Sequence, residues 1–140
     1  LGTTKSVVVH SEDGLDEISI AAPTKMIFID GDDLIEEYID PEKLGLQRWS
    51  LESVSAKNLE EAKNAIIESL TKGQNSGYRD MVLMSTAVTL FLADCVETMN
   101  EGVKLASNTI DSGQALKTLR KWIEVSNTHT PSTERDKTDL

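Results

Sequence analysis

Apolar positions along the chain change their period once, near Asp40. Before that point the pattern is short, β-branched and punctuated by turns. Residues 6–10 hold the consecutive valines Val7, Val8 and Val9 and read as a strand. Residues 11–15 form a loop turning at Asp13-Gly14. Ile18 and Ile20 alternate with polar neighbours, which predicts a second short strand over 17–21, broken by Pro23. Met26, Ile27, Phe28 and Ile29 make residues 24–30 a further strand, and Asp30-Gly31 signals a hairpin lengthened by Asp32 and Asp33. The returning strand, 34–39, is more polar and is expected at the sheet edge, where Glu36 and Glu37 discourage further pairing. An unbroken valine run fits a strand buried on both faces, usually one with parallel neighbours. Too few strands follow to cover it, so the chain is expected to be the C-terminal part of a larger α/β domain.

After Asp40 the period becomes helical. Residues 40–55, with Pro41 and Gly45, form a connector holding a helical turn. Asn58 with Glu61 is an N-terminal capping arrangement, and Leu59, Ala62, Ile66 and Leu70 recur at helical spacing before Gly73. From Tyr78 to Cys95 the apolar residues leave no polar face, which predicts a helix buried all round and closed by a packed, inert Cys95. Thr98 and Glu101 form a capping box opening a helix with Met99, Val103, Ala106 and Ile110 on one side. Gly113 separates it from a last helix, with Leu116, Leu119 and Ile123 inward and Trp122 near the same face. The organisation is therefore a few strands followed by packed helices over residues 1–125. A polar, disordered tail containing His129 is expected over 126–140.

Length and composition narrow the function. The chain has 140 residues, 39% apolar and 27% charged, enough for one domain with a real core. No stretch is long and apolar enough for a membrane span, and no secretory signal opens the chain. The net charge of −10, with scattered Lys and Arg, argues against a nucleic-acid partner. Lys117, Arg120 and Lys121 complement the C-terminal end of the last helix. One cysteine cannot form an internal disulfide, which favours a reducing, cytoplasmic compartment.

The chemistry concentrates where the valine strand ends, in His10-Ser11-Glu12-Asp13-Gly14-Leu15-Asp16-Glu17. In open α/β sheets ligands bind beyond the carboxyl ends of strands. Adjacent carboxylates such as Asp16 and Glu17 repel each other, and a divalent ion relieves that repulsion. Mg²⁺ takes one or two protein carboxylates and completes its shell with water and phosphate oxygens. A solvated acidic loop is the plainer account of the same residues, and pattern alone leaves both open.

The string from His10 through Ser19, continuing in Ala22-Pro23-Thr24-Lys25, resembles the signature segment of the anthranilate phosphoribosyltransferases. The likeness continues through residues 38–46, Arg79-Asp80-Met81-Val82-Leu83, Glu101-Gly102-Val103 and residues 110–116, in order. It implies a nucleoside phosphorylase/phosphoribosyltransferase-like α/β domain, of which this chain is the C-terminal portion. It also implies a dimer when intact, and transfer of phosphoribose from phosphoribosyl pyrophosphate to the amine of anthranilate in tryptophan biosynthesis. In that family the pair matching Asp16 and Glu17 holds Mg²⁺ at the departing pyrophosphate. No catalytic residue of this chain is implied, because the family's phosphate loop and anthranilate contacts precede its matching part. Ser11 and Ala22 stand where the family usually has Gly, and Ser85 where it usually has Asn. A pyrimidine nucleoside phosphorylase-type enzyme and a non-enzymatic acidic interaction module are the competing expectations.

Overall fold

A computed structural model describes residues 2–128. Its α/β architecture is one antiparallel sheet with helices on one side. Strands β1 (Lys5–Ser11), β2 (Thr24–Asp30) and β3 (Asp33–Ile39) lie side by side in chain order. Val7 pairs with Phe28 and Phe28 with Ile35, so the register places Val7, Val9, Met26 and Phe28 on the inner face. Between β2 and β3 only Gly31 and Asp32 turn the chain, Gly31 at φ +59°. Asp33 is thus part of β3 and not of the turn, because a glycine in the first central position closes a two-residue hairpin without help.

The strand expected over 17–21 is absent. Residues 12–23 form an irregular loop, yet Ile18 and Ile20 are both buried in the core beside Met26 and Met84. Their backbone is held by Thr24 Oγ1, which accepts from Ser19 N at 3.0 Å, and by Trp49 N, which donates to Ile20 O at 3.1 Å. Alternation here marks two side chains pinning a loop down. The valine strand also departs from expectation: β1 has one antiparallel neighbour and Val8 is 56% exposed. Only the face carrying Val7 and Val9 meets the helical layer.

Among the described residues four α-helices follow: α1 (Leu59–Ser69), α2 (Gly77–Leu92), α3 (Met99–Asp111) and α4 (Gln114–Thr128). Asn58, Ser76 and Thr98 cap the first three with their side chains, and Thr98 with Glu101 completes the capping box. Helix α2 is central, its Met84 and Val88 against the sheet and its Leu83 and Ala87 against α3. It nevertheless keeps an exposed polar line, Ser85 and Thr89. Gly102 of α3 sits so close to Ala87 that a Cβ there would meet the Ala87 Cα at 2.8 Å.

Cys95 is exposed, not packed. Asp94 adopts the left-handed conformation (φ 54°), with Asp94 N donating to Phe91 O at 3.1 Å and Cys95 N to Leu90 O at 2.9 Å. That double bond pattern ends α2 before Cys95 and turns the thiol outward. Helix α4 packs chiefly on α3, and Leu116, Leu119 and Ile123 are only half-buried while Trp122 is 70% exposed. It continues to Thr128, into the stretch read as a tail; His129 lies outside the described residues.

Candidate functional site

The loop between β1 and β2 divides its carboxylates into two kinds. Asp13 is turned inward on the loop: it accepts from the Ser19 hydroxyl and from Leu15 N at 3.3 Å. Ser19, wholly buried, also accepts from Ala21 N at 2.9 Å, so one hydroxyl joins both halves of the loop. Desolvation works to raise the Asp13 pKa, but the hydroxyls of Ser19 and Ser11 and the Leu15 N–H outweigh it and hold the carboxyl below its ordinary range. Asp16 and Glu17, three and four residues on, are exposed and have no hydrogen-bond or ion-pair partner among the described residues.

Both ends of this loop are fastened. At the β1 side, Ser11 N donates to Leu15 O at 2.9 Å, Glu12 N to Pro23 O at 3.0 Å and Gly14 N to Ser11 O at 3.0 Å. Gly14, at φ +92°, takes a conformation that costs glycine little. Ser11 and Ala22 adopt no positive φ, so the usual glycines of the family are not required by this backbone. Ser11 is fully buried and its hydroxyl donates to Pro23 O at 3.3 Å.

At the trailing side, the connector expected to hold a helical turn, which contains the 3-10 turns Glu42–Leu44 and Leu51–Val54, does much of the holding. Arg48 Nη1 donates to Ala21 O at 3.1 Å while Nη2 reaches Asp40 at 2.7 Å and Glu42 at 3.4 Å. Trp49 joins Ile20 through its backbone and donates its indole Nε1–H to Asp80 Oδ2 at 2.8 Å. Gly77 leaves the space that Val54 and, next to it, Trp49 fill at the start of α2. Arg79, also buried, bonds Thr71 O, Ser107 and Asp111, the last at 2.9 Å. The acidic loop is thereby braced through the connector to α2 and α3. An aromatic residue next to an arginine in an otherwise polar connector was the available signal.

As a donor set, two exposed carboxylates suit a hard cation and supply only part of its shell. Among the described residues no group of three or more His, Cys, Asp or Glu forms a metal cage. Two free carboxylates on a pre-folded loop match Mg²⁺, which keeps most of its shell for water and phosphate oxygens. Surface cavities of about 700 and 530 Å³ lie elsewhere, one beside Lys5, Phe91 and Asp94 at the far end of the sheet, the other between Leu46 and α3. Among the described residues no helix is long and apolar enough to cross a membrane.

Comparison with known proteins matches residues 1–116 to the model of the glycosyl transferase family, a/b domain. The anthranilate phosphoribosyltransferase of Petrotoga mobilis is 34% identical over 127 residues, covering 91% of this chain and 37% of that protein. That of Symbiobacterium thermophilum is 41% identical over 125 residues, 89% of this chain and 36% of that protein. Among solved structures, anthranilate phosphoribosyltransferase from Saccharomyces cerevisiae in complex with PRPP and Mg superposes with a TM-score of 0.77 at 29% identity, over 89% of this chain and 36% of that one. The same yeast enzyme in complex with 4-fluoroanthranilate gives 0.76 at 28% identity, over 89% and 36%. The chain thus spans a little over a third of the length of the curated relatives it matches.

Proposed function

The chain belongs to the glycosyl transferase family, a/b domain, and from that premise we propose that it supplies the metal-binding loop and late helices of an anthranilate phosphoribosyltransferase. The reaction is transfer of phosphoribose from phosphoribosyl pyrophosphate to the amine of anthranilate, with pyrophosphate released, a step of tryptophan biosynthesis. One observation carries the assignment. Asp16 and Glu17 are exposed and unpartnered at the carboxyl end of β1, on a loop whose other acid, Asp13, is consumed in bracing it.

In this proposal Asp16 and Glu17 hold Mg²⁺ together with oxygens of the substrate. The ion supplies neutralisation of the charge that grows on the leaving pyrophosphate. The protein's own part is positional. Ser19, Asp13, Arg48 and Trp49 fix the loop so that both carboxylates are presented without further ordering. No nucleophile from this chain is needed, since the attacking group is the amine of anthranilate. The anthranilate and phosphate contacts belong to the polypeptide N-terminal to this segment, and the intact enzyme is a homodimer. The cytoplasm suits it, because an exposed unpaired thiol at Cys95 persists best in a reducing compartment.

The test is a chimaera in which this chain replaces the matching stretch of the Petrotoga mobilis enzyme. With phosphoribosyl pyrophosphate and Mg²⁺, it is expected to consume anthranilate, followed as loss of fluorescence. A folded chimaera without turnover overturns the assignment.

A further inference from the structure

Trp49 braces the acidic loop, and Trp49 is itself held. Two consecutive carbonyls at the loop's trailing end are taken by two consecutive connector residues: Arg48 Nη1 donates to Ala21 O and Trp49 N to Ile20 O, each at 3.1 Å. Arg48 is exposed and shares its guanidinium with Asp40 and Glu42, so its grip is open to water. Trp49 is half-buried and meets the first turn of α2 in two ways. A Cβ on Gly77 would meet Trp49 Cγ at 3.1 Å, and the indole Nε1–H donates to Asp80 Oδ2 at 2.8 Å. Asp80 is 8% exposed and forms no ion pair among the described residues. Its neighbour Arg79 turns to Asp111 instead. A buried carboxylate answered by a neutral N–H needs further support, and its place in the first turn of α2 supplies it through the helix dipole. Its charge in turn makes the bond to the indole stronger than one between neutral groups.

We propose that Asp80 is a positioning residue for the metal-binding pair, acting through Trp49. Its carboxylate fixes the indole, the indole fixes the backbone of 48–49, and that backbone holds Ile20 O a few residues beyond Glu17. On either side of that carbonyl, Ser19 N is bonded to Thr24 Oγ1 and Ala21 N to Ser19 Oγ. Ile20 O is thus the point where the loop's internal bonds meet an outside support. Groups that orient a metal's ligands without touching the ion commonly set its affinity. The role at the metal rests on the functional proposal above; the tether itself rests on the two bonds of Trp49.

The experiment makes Trp49→Phe, Asp80→Ala and Asp80→Asn in the 140-residue chain and in the chimaera. Amide hydrogen exchange is followed in the chain, and turnover against Mg²⁺ concentration in the chimaera. With Trp49→Phe or Asp80→Ala, the amides of Ser19, Ala21 and Trp49 are expected to exchange at least about tenfold faster, while those of Val103 to Ala106 in α3 are unchanged. The Mg²⁺ concentration for half-maximal rate is expected to rise at least about threefold, less than for a partner bonded directly to a ligand. The rate at saturating Mg²⁺ stays within about twofold. Asp80→Asn keeps an acceptor for the indole and is expected to stay within about twofold of the parent in both readouts. Gly102→Ala, which strains α2 against α3 away from the loop, is the control for lost stability and should leave the Mg²⁺ requirement unchanged. The proposal is overturned if either readout stays put in Trp49→Phe and Asp80→Ala, if Asp80→Asn is as costly as Asp80→Ala, or if Gly102→Ala raises the Mg²⁺ requirement as much. Where Asp16→Asn with Glu17→Gln moves that requirement and these variants do not, the positioning role falls and the metal assignment stands. Where the acidic pair does not move it either, or the chimaera is inactive, the metal assignment falls and the positioning role with it, leaving Trp49 and Asp80 as a tether only.

Discussion

The Asp13 carboxylate accepts from the hydroxyl of Ser19, and this one bond spans the stretch that presents Asp16 and Glu17. Ser19→Ala removes that donor and also the acceptor used by Ala21 N, in a wholly buried position. A loss of about 1–2 kcal/mol is expected, read as a lower urea midpoint at unchanged slope.

Asp13→Asn is expected to show the electrostatic part by its pH dependence. The carboxyl is held below its ordinary value of 3.8 in the folded chain. Its contribution is therefore fully present above that value and disappears as pH falls through the lower, folded one. Urea titrations of the two proteins should differ at neutral pH and converge in the acid range below the ordinary aspartate value. A difference that persists there contradicts the origin given.

Asp16→Asn with Glu17→Gln is expected to leave stability unchanged, because neither side chain has a partner to lose. The same pair of substitutions in the chimaera should raise the Mg²⁺ concentration needed for half-maximal rate by at least about tenfold, the scale of one lost charge-assisted contact. Glu12→Gln, a neighbouring exposed acid, should not. An unchanged metal titration refutes the assignment of the pair.

Gly102→Ala tests the closeness of α2 and α3. The added methyl meets backbone and Cβ of Ala87 at 2.8 and 3.0 Å, so the helices must separate. A cost of about 1–3 kcal/mol is expected in chemical denaturation, in spite of alanine's better helix propensity.

Arg79→Lys keeps the charge but cannot reach Thr71 O, Ser107 and Asp111 together. About 2 kcal/mol of destabilisation is expected from the buried bonds lost. Desolvation raises the Asp111 pKa, while the Gly73 N–H and the Arg79 charge outweigh it and hold the group low. The stability that Asp111 adds is thus present at neutral pH and lost on acidification, and Asp111→Asn should flatten the acid limb of the stability profile.

Much of this molecule is written locally. Caps at Asn58 and Thr98, the glycine turn at Gly31 and the helical periods of α1 and α3 all act within a few residues, so their chemistry can be read in order along the chain. What escaped depends on distant partners. Ile18 and Ile20 alternate as strand residues do, but the groups that bind their backbone stretch are Thr24 and Trp49, not a neighbouring strand. Cys95 follows an apolar run without interruption, and only the left-handed Asp94, held by Lys5 at 2.6 Å, shows why the helix stops short of it. Helix α4 has a regular apolar face, but its packing, chiefly on α3, leaves that face half-covered. The acidic loop was visible as a cluster; the division between a bracing acid and two free ones required the position of Ser19.

Because the loop is braced by its own serines and by Arg48 and Trp49 of the connector, its conformational entropy is surrendered while the chain folds and not when a cation arrives. On the proposed assignment, a cation bound at Asp16 and Glu17 draws on electrostatics alone. Calorimetry of such an event should register hydration changes but almost no change in heat capacity, the signature of a receptor that does not refold around its guest.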